Sequence, residues 1–348
     1  MSDRFSDLRI LRWHDRISNI LAGMNHDGEG HLEGPIRAAI DLTNLCNHDC
    51  PWCEPQKYRE ETVRDKRHTL PVDVALGVLE DLRLMDCKTV NFSGGGEPLL
   101  HPDFGTILRF AARAGFRTWV VTNGRYIDKW AEDLALASHV RVSLDASTPA
   151  EHEAMHGAKA GEFVAICQNI RLLCKLKGPE VGISYIVADV NASTASFLRT
   201  LEFADSAGVD FIHFRPLSEP LRQRFTGEWA DCVEEIELLS RKKYRVRVFI
   251  VGKRLEDVFT QREFSSCYAA LTTAVIGANG DCQACCDERG KVYGNVNEQS
   301  FGSLWLSQVH RQMATAIEPK LCQRCLMCGF NRAVEKYVVK NDALPELV

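Results

Sequence analysis

The sequence predicts an α/β fold, a partial (βα)6 TIM-like barrel followed by a smaller, cysteine-rich C-terminal α+β domain. The barrel rests on a pattern and a count. Between residues 36 and 216, short β-rich runs alternate with amphipathic stretches of helical length, as in a parallel sheet built from crossover units. Six such units are present, two fewer than a closed barrel contains. After Arg215-Pro216 the alternation stops, and a helix near 228–239 and a strand near 245–251 lead into the cysteine-rich tail. The chain thus divides into an N-terminal extension (1–35), the barrel (36–216), a linking helix and strand (217–260) and a tail domain (261–348).

The strand candidates are 37–42, 89–93, 117–122, 140–144, 182–187 and 210–214. The helices expected between them, 71–84, 104–114, 163–176 and 195–207, have lengths suited to right-handed crossovers. In barrels of this kind the chemistry sits where strands give way to the following loops. Segments 44–54, 94–98, 122–125 and 145–147 each follow a strand, so they are expected to converge on one face.

The chain has 348 residues, 45% of them hydrophobic and 26% charged, which is too apolar for disorder and long enough for a full-sized core. The net charge of −5, from 42 basic and 47 acidic residues, points to neither a nucleic-acid nor a membrane-surface partner. The opening MSDRFSDLRILRWHDRISN breaks every apolar run with charge, so neither an export signal nor a membrane span is expected. That places the protein in the cytoplasm, where thiols stay reduced. The 14 cysteines therefore read as metal ligands rather than disulfides.

Cys46, Cys50 and Cys53 fall within eight residues of one another, in a loop just after the first strand. Thiolates so spaced suit a soft metal centre. A structural zinc knuckle would need a fourth ligand, and His48, lying between two cysteines, is expected to be hard to turn inward. Three thiolates on a four-iron cube instead leave one iron open.

The spacing Cys-x3-Cys-x-aromatic-Cys, with Trp52 as the aromatic, resembles the signature of the radical S-adenosylmethionine (SAM) enzymes. Gly95-Gly96-Glu97-Pro98 after the second strand resembles that family's loop for the SAM amino group. Thr122-Asn123-Gly124 after the third strand resembles a recurrent family loop, and Ser143 and Asp145 after the fourth resemble its ribose-contacting positions. Where many members have Arg before Gly in the next loop, this chain has His156-Gly157. The resemblance covers residues 36 to 216 in the expected order. It implies a [4Fe-4S] cluster on Cys46, Cys50 and Cys53. It also implies SAM held by Gly95, Gly96, Glu97, Asn123, Ser143 and Asp145, an electron donor such as flavodoxin or ferredoxin, and a 5′-deoxyadenosyl radical that abstracts hydrogen from a substrate carbon.

In the tail, Cys267, Gly280, Cys285 and the pair Cys322-x2-Cys325 resemble the auxiliary-cluster domains called SPASM and, in shorter form, twitch. The resemblance implies one auxiliary [4Fe-4S] cluster on Cys267, Cys285, Cys322 and Cys325. Cys328 is an alternate for the last place. Gly277-x4-Cys282 fits the same template as Gly280-x4-Cys285, so Cys282 is a second alternate, although Asn279-Gly280 reads as a hairpin turn that favours Cys285. A zinc ribbon in the tail is the competing reading.

Cys167, Cys174 and Cys232 fall on apolar helical stripes and read as core residues. If the enzyme is an epimerase, Cys232 or Cys286 is a candidate for the thiol that returns hydrogen to carbon. Only about 35 residues precede the first strand, too few for an independent peptide-recognition module, so a small polar natural product (a sugar, aminocyclitol or nucleoside) is the expected substrate, by epimerisation or dehydrogenation. The alternatives are a maturase acting on a ribosomally made peptide and a noncatalytic iron-sulfur redox protein.

Overall fold

The computed structural model describes residues 13, 17–18, 33–53, 69–217, 229–241, 244–250, 262, 264–287, 289–322 and 325–340. Most of the expected N-terminal extension, and residues 218–228, 242–243 and 251–260 of the expected linking segment, lie outside the described residues.

Among the described residues, ten strands form one sheet in the order β10-β9-β8-β1-β2-β3-β4-β5-β6-β7. The first six are β1 (Arg37–Asp41), β2 (Thr89–Ser93), β3 (Arg117–Thr122), β4 (His139–Ser143), β5 (Glu180–Val187) and β6 (Phe211–Pro216), each parallel to the next. Helices α1 (Val72–Leu84), α2 (Phe104–Arg113), α3 (Ala131–Leu134), α4 (Pro149–His156), α5 (Glu162–Lys175) and α6 (Thr194–Ala207) lie in the connections. The six strands with α1, α2, α5 and α6 are the elements read from the hydrophobic period, whereas α3 and α4 are additions that the period did not reveal. Strand alternation is visible in β2 and β4, whereas β5 is buried almost throughout because helices and barrel interior cover both its faces.

The parallel run does not stop at the sixth strand. After α7 (Trp229–Ser240), β7 (Arg247–Ile250) pairs in parallel with β6. At the other edge β8 (Thr273–Ile276), preceded by the short helix α8 (Ala269–Thr272), pairs in parallel with β1. Eight parallel strands therefore make an incomplete TIM-like barrel, with no pairing between β7 and β8 among the described residues. The tail continues this sheet: β9 (Asp281–Gln283) and β10 (Val292–Asn295) extend it antiparallel to form the smaller α+β part, covered by α9 (Phe301–Trp305), α10 (Gln308–Thr315) and α11 (Cys328–Val334).

Local chemistry explains the joints. Ser193 caps α6 by accepting from Ser196 N, and Gly208 ends that helix in the left-handed conformation. The β8-β9 turn closes with Gly277 N donating to Asp281 O and Gly280 N to Gly277 O. Arg289, in the β9-β10 connection, ion-pairs with the buried Asp41 at the end of β1. Burial raises the Asp41 carboxyl, and the Arg289 guanidinium opposes that rise.

Removing Arg289 strands a buried carboxylate, so Arg289→Ala should lower stability by about 3 kcal/mol, read as the urea midpoint. Adding Asp41→Asn should restore most of the loss. An unchanged midpoint in the single variant would show that the pair does not hold the tail to the barrel.

Candidate functional site

The loop after β1 carries Cys46, Cys50 and Cys53, all half-buried, and it is held from three neighbouring loops. Leu45 N donates to Thr43 Oγ1 at 3.1 Å, and Glu97 N donates to Leu45 O at 2.8 Å. Asn123 Nδ2 donates to Asn47 Oδ1 at 2.9 Å. Asp49 N donates to His156 O at 3.0 Å, and Trp52 Nε1 to Met155 O at 2.7 Å. Within the loop, Cys53 N donates to Cys50 O, a turn that folds the Cys-x2-Cys segment back on itself.

Glu97 ties the loops after β2 and β3 together. Its carboxylate is buried and accepts from Leu99 N (3.1 Å), Thr122 Oγ1 (2.6 Å) and Asn123 N (2.7 Å). Burial pushes it up to about 7 against the pull of those three donors. Gly96 is required for the same contact: a Cβ there would lie 2.1 Å from Leu45 O. The backbone approach expected of this glycine pair is thus made to the cysteine loop itself.

The remaining barrel positions differ in exposure. Ser143, at the end of β4, is half-buried in register with Ser184. Asp145 is fully buried in the left-handed conformation (φ 50°), with Oδ1 accepting from Ile186 N at 2.6 Å. Its backbone carbonyl accepts from Asn191 Nδ2. The carboxylate of Asp145 therefore ties β4 to β5.

Sequence reasoning missed the histidines. His48, expected to resist turning inward, is buried and donates from Nε2 to Glu162 Oε2 at 2.8 Å. A loop that folds back on itself can aim its middle residue at the core, which spacing alone does not reveal. His156, the residue standing where many relatives have Arg, is buried with Nδ1 3.3 Å from Cys50 Sγ. His152, one helical turn earlier, lies beside it. Burial, then the neighbouring His156 and His48, drives His152 down to about 3, and burial also lowers His48. Gly157 must be glycine: its φ is +56°, and a Cβ would sit 2.4 Å from Asp49 O. The spacing Glu151-His152-x3-His156 on α4 was the signal available in the sequence.

In the tail, Cys267 has Cys285 and Cys322 close enough to raise its thiol further, after burial has pushed it up to about 11. Cys325, driven to about 12 by burial, feels Cys267 and Cys328. Cys282 instead lies fully buried on β9 beside Tyr293, in the apolar core. Asn331, another residue sequence reasoning missed, is buried with Nδ2 4.0 Å from Cys267 Sγ and 3.9 Å from Cys325 Sγ, while its Oδ1 accepts from Ala269 N. Cys328 is buried near Arg332. Cys286 hydrogen-bonds to Cys285, and Cys232 lies on α7 in the core beside α6, so neither joins the front loops. Cys267 precedes β8 and Cys285 follows the antiparallel β9, which puts the tail group where the parallel strands begin. The front group follows the end of β1, about 16 Å of strand away.

A family model described as the Radical SAM superfamily matches residues 40–214. The chain belongs to this superfamily. A second model, described as the SPASM iron-sulfur cluster-binding domain, matches residues 267–329, so the tail is a SPASM domain. The chain is 24% identical over 323 residues to the mycofactocin maturase MftC of Mycobacterium ulcerans, covering 86% of this chain and 82% of the relative. It is 23% identical over 322 residues to the antilisterial bacteriocin subtilosin biosynthesis protein AlbA of Bacillus subtilis, covering 87% and 67%. Among solved structures, Streptococcus suis SuiB bound to its precursor peptide SuiA superposes with a TM-score of 0.68 at 18% identity, over 97% of this chain and 77% of that one. That likeness establishes the fold. These comparisons correct one expectation: the small-molecule substrate inferred from the short N-terminal segment is overturned by relatives named as a maturase and a bacteriocin biosynthesis protein and by SuiB, whose structure of the same fold holds a precursor peptide. No helix among the described residues is long and apolar enough to cross a membrane.

Glu97→Gln should expose the titration of the buried carboxyl. Unfolding returns Glu97 to its ordinary value near 4.5, so between 4.5 and 7 the folded chain holds the proton more tightly and stability falls as pH rises. The contribution, up to about 3 kcal/mol, is complete below 4.5 and lost through 7. Urea midpoints of the cluster-free chain should therefore decline with pH more steeply in wild type than in Glu97→Gln. Parallel profiles would show that Glu97 does not titrate there.

Proposed function

We propose that this radical SAM enzyme is a maturase that modifies a ribosomally made peptide. The observation that carries the reading is the pairing of a radical SAM and a SPASM domain on a chain that has named maturases among its relatives, matched over 86% of its length. An incomplete barrel, with β7 unpaired to β8 among the described residues, supports entry of an extended chain from the side.

In this reading Cys46, Cys50 and Cys53 hold a [4Fe-4S] cluster, and Cys267, Cys285, Cys322 and Cys325 hold an auxiliary one. The donor chemistry fits both: free thiols grouped in each region, with the buried amide of Asn331 directed at two of the tail sulfurs. When bound, the front cluster supplies the one-electron reduction of SAM that yields a hydrogen-abstracting radical. Gly95, Gly96, Glu97, Asn123, Ser143 and Asp145 form the SAM side of the site. Among them, Glu97 and Asn123 keep the cysteine loop in place, and Gly96 lets the two loops pack closely. Trp52, bonded to Met155 O, covers the loop on the α4 side and helps exclude water.

Reconstituted wild-type protein should hold about eight irons, and about four after either Cys46/Cys50/Cys53→Ala or Cys267/Cys285/Cys322/Cys325→Ala. Only the first of these variants should lose dithionite-driven SAM cleavage entirely. With a uniformly deuterated candidate precursor peptide, deuterium should appear in 5′-deoxyadenosine. SAM cleavage that survives the front triple substitution would sink the cluster assignment. Deuterium transfer from small metabolites, with none from any peptide of a precursor panel, would sink the peptide reading.

A further inference from the structure

The histidine wall behind the cysteine loop carries chemistry that radical generation does not use. One ligand atom from each of His48, Cys50 and His156 lies within 4.8 Å of the other two. The ring centroids of His48 and His156 are 5.3 Å apart, and Cys50 Sγ lies 3.3 Å from His156 Nδ1. With zinc-sulfur and zinc-nitrogen bonds near 2.3 and 2.1 Å, a sulfur-nitrogen edge of a tetrahedral site spans about 3.6 Å. The observed edge is already close to that length.

The outer nitrogens of both rings are oriented as metal-ligating histidines require. His48 Nε2 donates to the Glu162 carboxylate, and its Nδ1 is buried without a hydrogen-bond partner in a residue only 4% exposed. His156 Nε2 faces two acceptors, Leu144 O at 3.3 Å and Asp145 Oδ2 at 3.4 Å, which leaves Nδ1 for the Cys50 side. The Glu162 carboxylate behind His48 and the Leu144 carbonyl behind His156 fix the tautomer of each ring, as outer-shell acceptors do for metal-bound histidines. His152 differs: both its ring nitrogens are buried without partners, so nothing orients it and it serves as packing.

We propose that the chain without its front cluster binds one zinc-class divalent ion through His48 Nδ1, Cys50 Sγ and His156 Nδ1, with water in the fourth position. As the sulfur-metal bond forms, the Cys50 thiol proton leaves to solvent and no electron is transferred. Because Cys50 serves both centres, the ion and the iron cluster exclude each other, and zinc holds the loop against cluster loading. The site does not depend on the peptide reading.

The test is alkylation of the cluster-free chain by iodoacetamide, with and without zinc chloride, resolved cysteine by cysteine by mass spectrometry. This separates the front thiols from the tail thiols, whose cysteine set is itself of a zinc-ligand type. Stoichiometric zinc should slow labelling of Cys50 at least about 10-fold while Cys46 and Cys53 label freely. His48→Ala should abolish that protection, and Glu162→Gln, which keeps a hydrogen bond to the ring, should weaken it. Equal protection of Cys46, Cys50 and Cys53, protection of Cys50 that survives His48→Ala, or no protection of Cys50 in wild type would each overturn the proposal.

Discussion

The buried carboxylate of Glu97 is the point from which the catalytic end of the barrel is organised. A carboxylate taken out of water must be answered by donors, and here they come from the loops after two successive strands: Leu99 N on one side, Thr122 and Asn123 on the other. The peptide N-H of the same residue donates to Leu45, immediately before Cys46. One side chain and its own backbone therefore set three loops in register. The absence of a Cβ at Gly96 is part of the same packing, since the Leu45 carbonyl occupies that space.

The parallel sheet then decides what is near and what is far. Loops after β1, β2 and β3 share one end of the sheet, so residues more than seventy positions apart, such as Asn47 and Asn123, meet in a hydrogen bond. The antiparallel excursion through β9 sends the tail cysteines toward the other end. Five strand residues separate the two sulfur groups. The packed layer of the sheet lies between them, and the ion pair of Asp41 and Arg289 joins the tail to the barrel.

Around the cysteine loop the polar interior is unusually rich. His48 and His156 lie close to Cys50, His152 packs against both rings, and His48 and His156 each have an outer nitrogen within 3.4 Å of a carboxylate oxygen. Burial lowers the proton affinity of His152 and, to a lesser degree, of His48, so these two rings resist taking on positive charge beside the loop. The loop is thus both a thiol-rich segment and one face of a nitrogen-sulfur donor set.

The sequence alone determined the first six strands, four of the helices between them (α1, α2, α5 and α6) and the loops that follow the strands, because burial imposes a period on each long element; the short α3 and α4 were not legible. It also carried the cysteine spacings, since ligands from one loop must lie close in sequence. It placed the hairpin at Asn279-Gly280, whose left-handed glycine at φ 90° is a local requirement. Tertiary structure decided the rest. The pairing of β7 with β6 and of β8 with β1 is long-range and leaves no periodic trace in strands of four residues. The inward turn of His48, the contact of His156 with Cys50 and the reach of Asn331 to Cys267 and Cys325 join residues 64 to 114 positions apart in all but the last case, where the separation is six. Such contacts follow from which surfaces the sheet brings together, and no local pattern of residues encodes that.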